Sequence, residues 1–314
     1  MTALKPSVKI LTLKLIVFFI VAAGLFWLAN LYAPAKNAGS ASGVRIAASS
    51  LAASSSLTAA SGATAAASGS PLAFKAYPSF SAWKILPAGI AAVQASILMY
   101  HYISIPPATT TLPGLYLDPR IFASQLEEIN KGGYQSVFMS DLARDIYGGT
   151  ASSRKIVALT FDDGYEDFYA NAFPLLKKYD LKGTLYVIIN AVDKPGYITK
   201  AQLKEMAASG VVEIGSHTFN HPDLRLKKKA DQFFEIKGSR DALGKIINIP
   251  VLTFAYPYGY YNSQILKMTQ EAGYLGAVSV IPGSVHKPNS LWLITRLRPG
   301  NRSGEEFLTW LKRN

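Results

Sequence analysis

Residues 155–164 read KIVALTFDDG: an apolar run that stops on two adjacent aspartates, Asp162 and Asp163, with Gly164 directly after them. The run has the character of a buried strand, and its polar end is electrostatically awkward. Paired carboxylates repel, and each costs desolvation when it is buried. A solvated turn accounts for the same residues, since Asp-Gly is a common turn signal. The choice rests on the sequence to either side.

Working outward, strands and helices alternate. SILMY (96–100) reads as a short apolar strand. Residues 118–133 read as a helix, with Asp118 as cap, Pro119 in the first turn and Phe122, Leu126 and Ile129 on one face. YQSVFM is a strand and SDLARDIY a short helix. DFYANAFPLLKKYD is a helix expected to bend near Pro174. GTLYVII is a strand, and the next helix opens with a capping box at Thr199 and Gln202. VVEIG is a strand, 229–247 a longer helix and VLTFAY a strand. The next helix is capped by Asn262 and closed by Gly273. LGAVSV and LWLITRL are strands, and the last helix carries a second box at Ser303 and Glu306. Such units, recurring every 25 to 35 residues or so, imply parallel strands with right-handed crossovers. The expected fold is α/β, a distorted (β/α) barrel of roughly seven or eight parallel strands.

In that fold, polar residues just past strand ends gather on one rim. SILMY ends in His101, KIVALTF in Asp162-Asp163, VVEIG in SHTFNHPDL with His217 and His221, VLTFAY in Pro257-Tyr258-Gly259, and LWLIT in Arg296. Two imidazoles and one carboxylate suit a borderline divalent metal with positions left open for water and substrate. A second carboxylate that is not a ligand can take a proton from that water. Adjacent aspartates allow this division, and the cation's charge would offset their repulsion.

Composition narrows the choice. With no cysteine, a thiolate metal site, a disulfide and a cysteine nucleophile are all excluded, so histidine and carboxylate must hold any metal. The net charge is +12; five of the 32 basic side chains stand in the first 45 residues, where there is no acid, leaving 27 against 20 acids. That mild excess suits an anionic surface or polymer and is no nucleic-acid signature. Residues 1–9 are expected to be cytoplasmic and 10–33 a transmembrane signal-anchor, with Trp27 and Tyr32 near its far end. A cleaved signal peptide is the rival, because Ala33-Pro34-Ala35 resembles a cleavage pattern. Residues 34–92 read as an Ala/Ser/Gly-rich flexible linker and 93–314 as the catalytic domain. The domain is therefore expected outside the cytoplasm, anchored to the plasma membrane, or secreted if the segment is cleaved.

TFDDG at a strand end, SHTFNHPDL some way on and FAYPYG after it resemble the motifs of the polysaccharide deacetylases, the family-4 carbohydrate esterases. ILMYHYI resembles the subgroup that deacetylates extracellular poly-N-acetylglucosamine in biofilms, whose barrel is circularly permuted so that a late-motif histidine comes first. The resemblance spans residues 96–312 and implies a role for each matching residue. Asp163, His217 and His221 bind a divalent metal, commonly Zn2+, with Co2+, Ni2+ or Fe2+ as alternatives. Asp162 is the general base. His101 is the general acid, in a Leu-x-His motif where Met99 replaces the leucine. The Tyr258 backbone N–H stabilises the oxyanion, with Pro257 and Gly259 shaping its turn. The implied substrate is an N-acetylated extracytoplasmic polysaccharide, which would release acetate.

There are departures. Many members place an arginine before Pro-Tyr-Gly to orient the base; here Ala255 and Tyr256 stand there. Arg296 is the candidate replacement and Arg298 the second. No Asp-x-x-Asp-Trp motif is found. Trp292 either lines the substrate site or packs in the core, and His286 is the runner-up acid. Tyr260 and Tyr261 either stack on sugars or pack. Asn220 and Asp223 either orient the histidines or cap a turn, and Tyr165, Glu166 and Asp167 read as loop and cap residues. Residues 102–117 suggest a lid. Two further readings stay open: a non-catalytic, metal-containing sugar-binding module, and a deacetylase of peptidoglycan, chitin-like oligomers or O-acetyl esters.

Overall fold

The computed structural model describes residues 90–150 and 155–314. The expected cytoplasmic segment 1–9, anchor 10–33 and nearly all of the linker 34–92 lie outside them. Among the described residues no helix is long and apolar enough to cross a membrane.

The elements in chain order are β1 (Val93–Gln94), β2 (Ser96–Tyr100), α1 (Pro119–Lys131), β3 (Gln135–Ser136), α2 (Met139–Gly148), β4 (Ile156–Phe161), α3 (Phe173–Tyr179), β5 (Gly183–Val187), α4 (Lys200–Ala208), β6 (Val212–Ser216), α5 (Lys229–Phe233), α6 (Ser239–Ile247), β7 (Thr253–Ala255), α7 (Ser263–Glu271), β8 (Gly276–Val278), β9 (Val285–His286) and α8 (Gly304–Arg313). β2, β4, β5, β6, β7 and β8 pair in that order, all parallel. The fold is α/β with a parallel-strand half-barrel.

The sheet has seven parallel strands, six in the arc and β3 beside β4, within the expected count, but the segments that supply them differ from those expected. LWLITRL forms no named strand. Ile294 bridges Val278 at one edge of the arc and Leu297 bridges Leu98 at the other. A segment that must reach both edges within four residues cannot run alongside either for long, because neighbouring strands lie about 4.8 Å apart. YQSVFM contracts to β3, which pairs β4 off the main path because α2 starts at Met139.

Period-two alternation sorts the strand residues. Leu98, Val157, Leu159, Phe161, Leu185 and Phe254 join one core cluster with the helices. Ile97, Ala158, Tyr186, Ala255, Val278 and Ile294 join a second, with α2 residues Leu142 and Ile146. α2 is fastened to the strand starts: the Met139 N–H donates to Thr184 Oγ1 and the Ser140 N–H to Glu213. The strand ends opposite α2 are where the polar residues lie. Gly215 of β6 has no room for a side chain, since a Cβ there would come within 2.4 Å of the Tyr186 ring.

Helix chemistry agrees with the sequence in most places. Asp118 accepts from the Arg120 N–H, Asn262 accepts from the Ile265 N–H, and the Thr199–Gln202 box forms in both directions. The Ser303–Glu306 box does not form. The Gly304 N–H donates to Ser124 Oγ, and Glu306 faces Arg302. The bend expected near Pro174 is taken up one turn earlier, as a π-helical stretch over Phe168–Ala172. The helix expected over 229–247 is broken by a second such stretch, Phe234–Gly238.

Candidate active site

The β4 alternation places Thr160 and Asp162 on the inward face, and Asp162 holds the extended line through its N–H to the Tyr100 carbonyl. The chain then turns. Asp163 has φ 78° and Gly164 φ 80°, left-handed values that an aspartate tolerates better than most residues. The turn that a plain reading of Asp-Gly suggests is therefore present. It also points consecutive carboxylates in different directions.

Asp162 meets Arg296. Nη1 donates to Oδ1 and Nη2 to Oδ2, each at 2.8 Å. The guanidinium also donates to Thr160 Oγ1 at 3.1 Å and, through Nε, to the Ser279 carbonyl at 2.8 Å. Arg296 is 1% exposed and Asp162 3%. Burial works to raise the Asp162 pKa, but the Arg296 charge and its paired bonds, with His217 and His101, outweigh it and hold the carboxyl below the usual carboxylate range. His101 Nε2 lies 3.9 Å from Asp162 Oδ2. Burial lowers the His101 pKa; Asp162 and Asp163 oppose this, and Arg296 and Arg298 add to it.

Asp163 meets the two histidines. Its Oδ1 is 3.4 Å from His217 Nε2 and 3.6 Å from His221 Nε2, and all three ligand atoms lie within 4.8 Å of one another. His217 Nδ1 donates to the Ala255 carbonyl at 2.8 Å, so β7 fixes the tautomer and leaves Nε2 with a free lone pair facing Asp163. Two ligands about 2.1 Å from a tetrahedral cation stand about 3.4 Å apart, so the donor spacing fits a small divalent ion. Burial, then the charge of His217, lowers the His221 pKa to about 4, so the ring is neutral near pH 7, as a metal ligand requires.

The loop carrying both histidines is held from below by Glu235, which lies in the π-helical stretch. One carboxylate oxygen accepts from the Phe219 and Asn220 N–H groups and the other from Asn220 Nδ2 at 2.7 Å. The Asn220 side-chain oxygen accepts in turn from Asn190 Nδ2. Thr218 (φ 69°) and His221 (φ 55°) are left-handed within this loop, and Thr218 Oγ1 accepts from the His221 N–H. Tyr258 is left-handed as well (φ 59°) and 54% exposed, its ring edge-on to His221 at 4.6 Å. Left-handed non-glycine residues concentrated at one rim mark a centre whose geometry is imposed by its surroundings.

The other candidates sort cleanly. Trp292 is core: its Nε1 donates to the Tyr274 carbonyl, and its own carbonyl accepts from Tyr256 Oη. His286 is buried in β9 with its Nε2 at the Ala95 carbonyl, just before β2 begins, a full strand away from His101. It is not the acid of this site. Asp223 caps Arg225, and Asp167 accepts from Ser104 Oγ at 2.7 Å, so neither touches a histidine. Tyr260 lies under the Arg225 guanidinium at 3.8 Å, and Tyr261 packs on the core. Within 102–117 the backbone pairs Tyr102 with Tyr116, and the Asn171 side chain donates to the Ile103 carbonyl.

Two features escape the sequence reading. Glu235 is one. No local signal marks it, since its neighbours Phe233 and Phe234 are themselves exposed while Glu235 is buried. The other is a row of tyrosines. The Tyr116 and Tyr102 rings stack at 4.1 Å, Tyr102 and Tyr165 at 3.6 Å, and Tyr165 leans on Tyr197 at 5.1 Å. Tyr165 is therefore more than a loop residue: with Asp163, Asn190, Tyr197 and His221 it lines a cavity of about 320 Å³.

A parallel α/β frame with carboxylates and histidines converging at its strand ends is suited to metal-assisted hydrolysis. Comparison with known proteins gives the family. The polysaccharide deacetylase family model matches residues 149–277. YxkH of Bacillus subtilis (strain 168), named as a polysaccharide deacetylase, is 31% identical over 218 residues, covering 69% of this chain and 75% of its own. The deacetylase PplD of Streptococcus pyogenes, solved in complex with acetate, superposes with a TM-score of 0.65 at 32% identity, covering 70% of this chain and 98% of its own. The poly-beta-1,6-N-acetyl-D-glucosamine N-deacetylase of Staphylococcus aureus (strain MSSA476) is 32% identical over 133 residues, 38% of this chain; the match spans less than half, 46%, of that relative's length. The chain belongs to the polysaccharide deacetylase family, hydrolases acting on amide C–N bonds.

Proposed function

We propose that the protein hydrolyses N-acetyl groups from N-acetylhexosamine units of an extracytoplasmic polysaccharide in a metal-dependent reaction, releasing acetate. The observation that carries this reading is the separation of two neighbouring carboxylates: Asp162 locked by Arg296, and Asp163 facing two histidine nitrogens.

Asp163, His217 and His221 would hold the divalent cation, Zn2+ by preference, with Co2+, Ni2+ or Fe2+ suiting the same donors. When bound, that cation polarises the acetyl carbonyl and makes a water more acidic. Asp162 accepts the water proton. Arg296 keeps it ionised and aimed, and a carboxylate retains lone pairs beyond the two that Arg296 uses. The water oxygen bonds to the carbonyl carbon, and the developing oxyanion is met by the Tyr258 N–H. His101, beside Asp162, delivers a proton to the amide nitrogen as the C–N bond breaks, giving acetate and a free amine.

An absent arginine before Pro-Tyr-Gly would favour a non-catalytic module. Arg296 fills that place from a different part of the chain, so the catalytic reading is preferred. Residues 10–33 would anchor the domain to the membrane on its outer side, with 34–92 as tether, and the early position of His101 is consistent with a permuted barrel. The likeness to the staphylococcal enzyme supports a poly-N-acetylglucosamine substrate. The test is acetate release from N-acetylglucosamine oligomers by the full-length protein, before and after chelation. Loss on chelation and recovery with Zn2+ are expected; undiminished release from metal-free protein would overturn the mechanism.

A further inference from the structure

We propose that Arg298 forms an anion subsite on the sugar side of the centre, selecting N-acetylated polymers with a carboxylate or phosphodiester beside the acetylated unit. The inference rests on the deacetylase reading for its orientation and goes beyond it in naming the substrate's charge.

Arg298 stands two residues past Arg296. Arg296 turns inward to Asp162, Leu297 pairs with Leu98, and Arg298 emerges at the rim. There it lines a cavity of about 130 Å³ with His101, Tyr102, Tyr116 and Asn301. Every one of the chain's 20 acidic residues lies within the described residues. Even so, no hydrogen bond or ion pair to the Arg298 guanidinium is found among them. The carboxylate whose field it feels is Asp162, and both oxygens of Asp162 are already taken by Arg296. Partial burial, and then the Arg296 charge, make the cation less favourable than in water. A cation in that position gains from an incoming anion, and no carboxylate lines the cavity to repel one.

The location fixes which part of the substrate meets it. The cavity shares His101 with the centre but none of Asp163, His217 and His221; Asp163 and His221 border the other cavity instead. If His101 protonates the leaving nitrogen, the sugar bearing that nitrogen lies against His101 and its neighbour reaches Arg298. Product acetate forms on the Asp163 side. Guanidinium groups bind carboxylate and phosphate through paired hydrogen bonds, so the shared requirement is an oxyanion with two accessible oxygens.

The test uses full-length protein and three matched N-acetylglucosamine oligomers: a neutral one, one with an adjacent glucuronic acid and one with an adjacent phosphodiester. Binding by calorimetry and kcat/KM for acetate release are both measured. One or both anionic oligomers are expected to be favoured by about 10- to 100-fold, the worth of a hydrogen-bonded charge pair. The two anionic arms tell carboxylate from phosphate. Arg298→Gln should bring the ratio close to one, Arg298→Lys should keep part of it, and Lys229→Gln, at the exposed start of α5, should leave it unchanged. Equal binding of all three oligomers by the wild type, or a preference that survives Arg298→Gln, overturns the subsite. A binding preference with no acetate release from any oligomer overturns the deacetylase reading and leaves the subsite standing.

Discussion

Arg296 and Asp162 are 134 residues apart in sequence and joined by two parallel 2.8 Å hydrogen bonds, both side chains almost wholly buried. Breaking one side of such a pair leaves a bare buried charge, at a cost of about 3–5 kcal/mol, whereas replacing both sides is often nearly neutral. Arg296→Met should therefore destabilise by that amount in urea unfolding, and Asp162→Asn/Arg296→Met should recover a substantial part. A single Arg296→Met as stable as the wild type would contradict the pairing.

The same pair sets a pH dependence. The folded-state pKa of Asp162 is depressed, so its stabilising contribution is present above the ordinary carboxylate range and is lost as pH falls through the folded value. Lysine in place of Arg296 supplies one point charge and no fork. With less to oppose burial, the Asp162 pKa rises in Arg296→Lys. The acid limb of kcat/KM should then move to higher pH; an unmoved limb would separate Arg296 from the base.

Much of the fold and site is legible in the sequence because strand ends are local. KIVALTF before Asp162-Asp163, and VVEIG before His217 and His221, each declare a strand and its polar tip within about a dozen residues. Arg296 is reached only as a candidate, since nothing near it names its partner. LWLITRL fails as a strand for a related reason: its apolar residues satisfy two different edges, a demand set by closure of the arc and invisible in local periodicity. Ser303 stands at the N-cap but forms no box, and Glu306 faces Arg302. Glu235 goes unread because the sequence does not show that the Phe219–Asn220 backbone lies above it.

Glu235 offers a test of the histidine loop. Groups that orient metal ligands typically change affinity by 10- to 100-fold when removed. Glu235→Ala should weaken zinc binding by about that factor, with Glu235→Gln weakening it less because one acceptor oxygen remains. Competition with a chromogenic chelator reads this directly, and unchanged affinity in Glu235→Ala would remove the residue from the site.

Gly259 closes the Pro257–Gly259 turn at φ 72°, and a Cβ there would approach Val280 Cγ2 to 2.3 Å. Gly259→Ala should cost about 1–3 kcal/mol from the strained conformation alone and displace the Tyr258 N–H. The expected kinetic signature is a fall in kcat larger than any rise in KM. A change in KM alone would argue against the Tyr258 N–H as an oxyanion donor.

The central claim is that adjacent aspartates have different tasks, one in proton transfer and one in metal binding. It is tested most directly by measuring acetate release from Asp162→Asn protein whose zinc content has been determined on the same sample. The account predicts zinc at the wild-type ratio and release lowered by about 10²- to 10⁴-fold, the usual contribution of a positioned general base. Zinc at the wild-type ratio with release near the wild-type rate would contradict it.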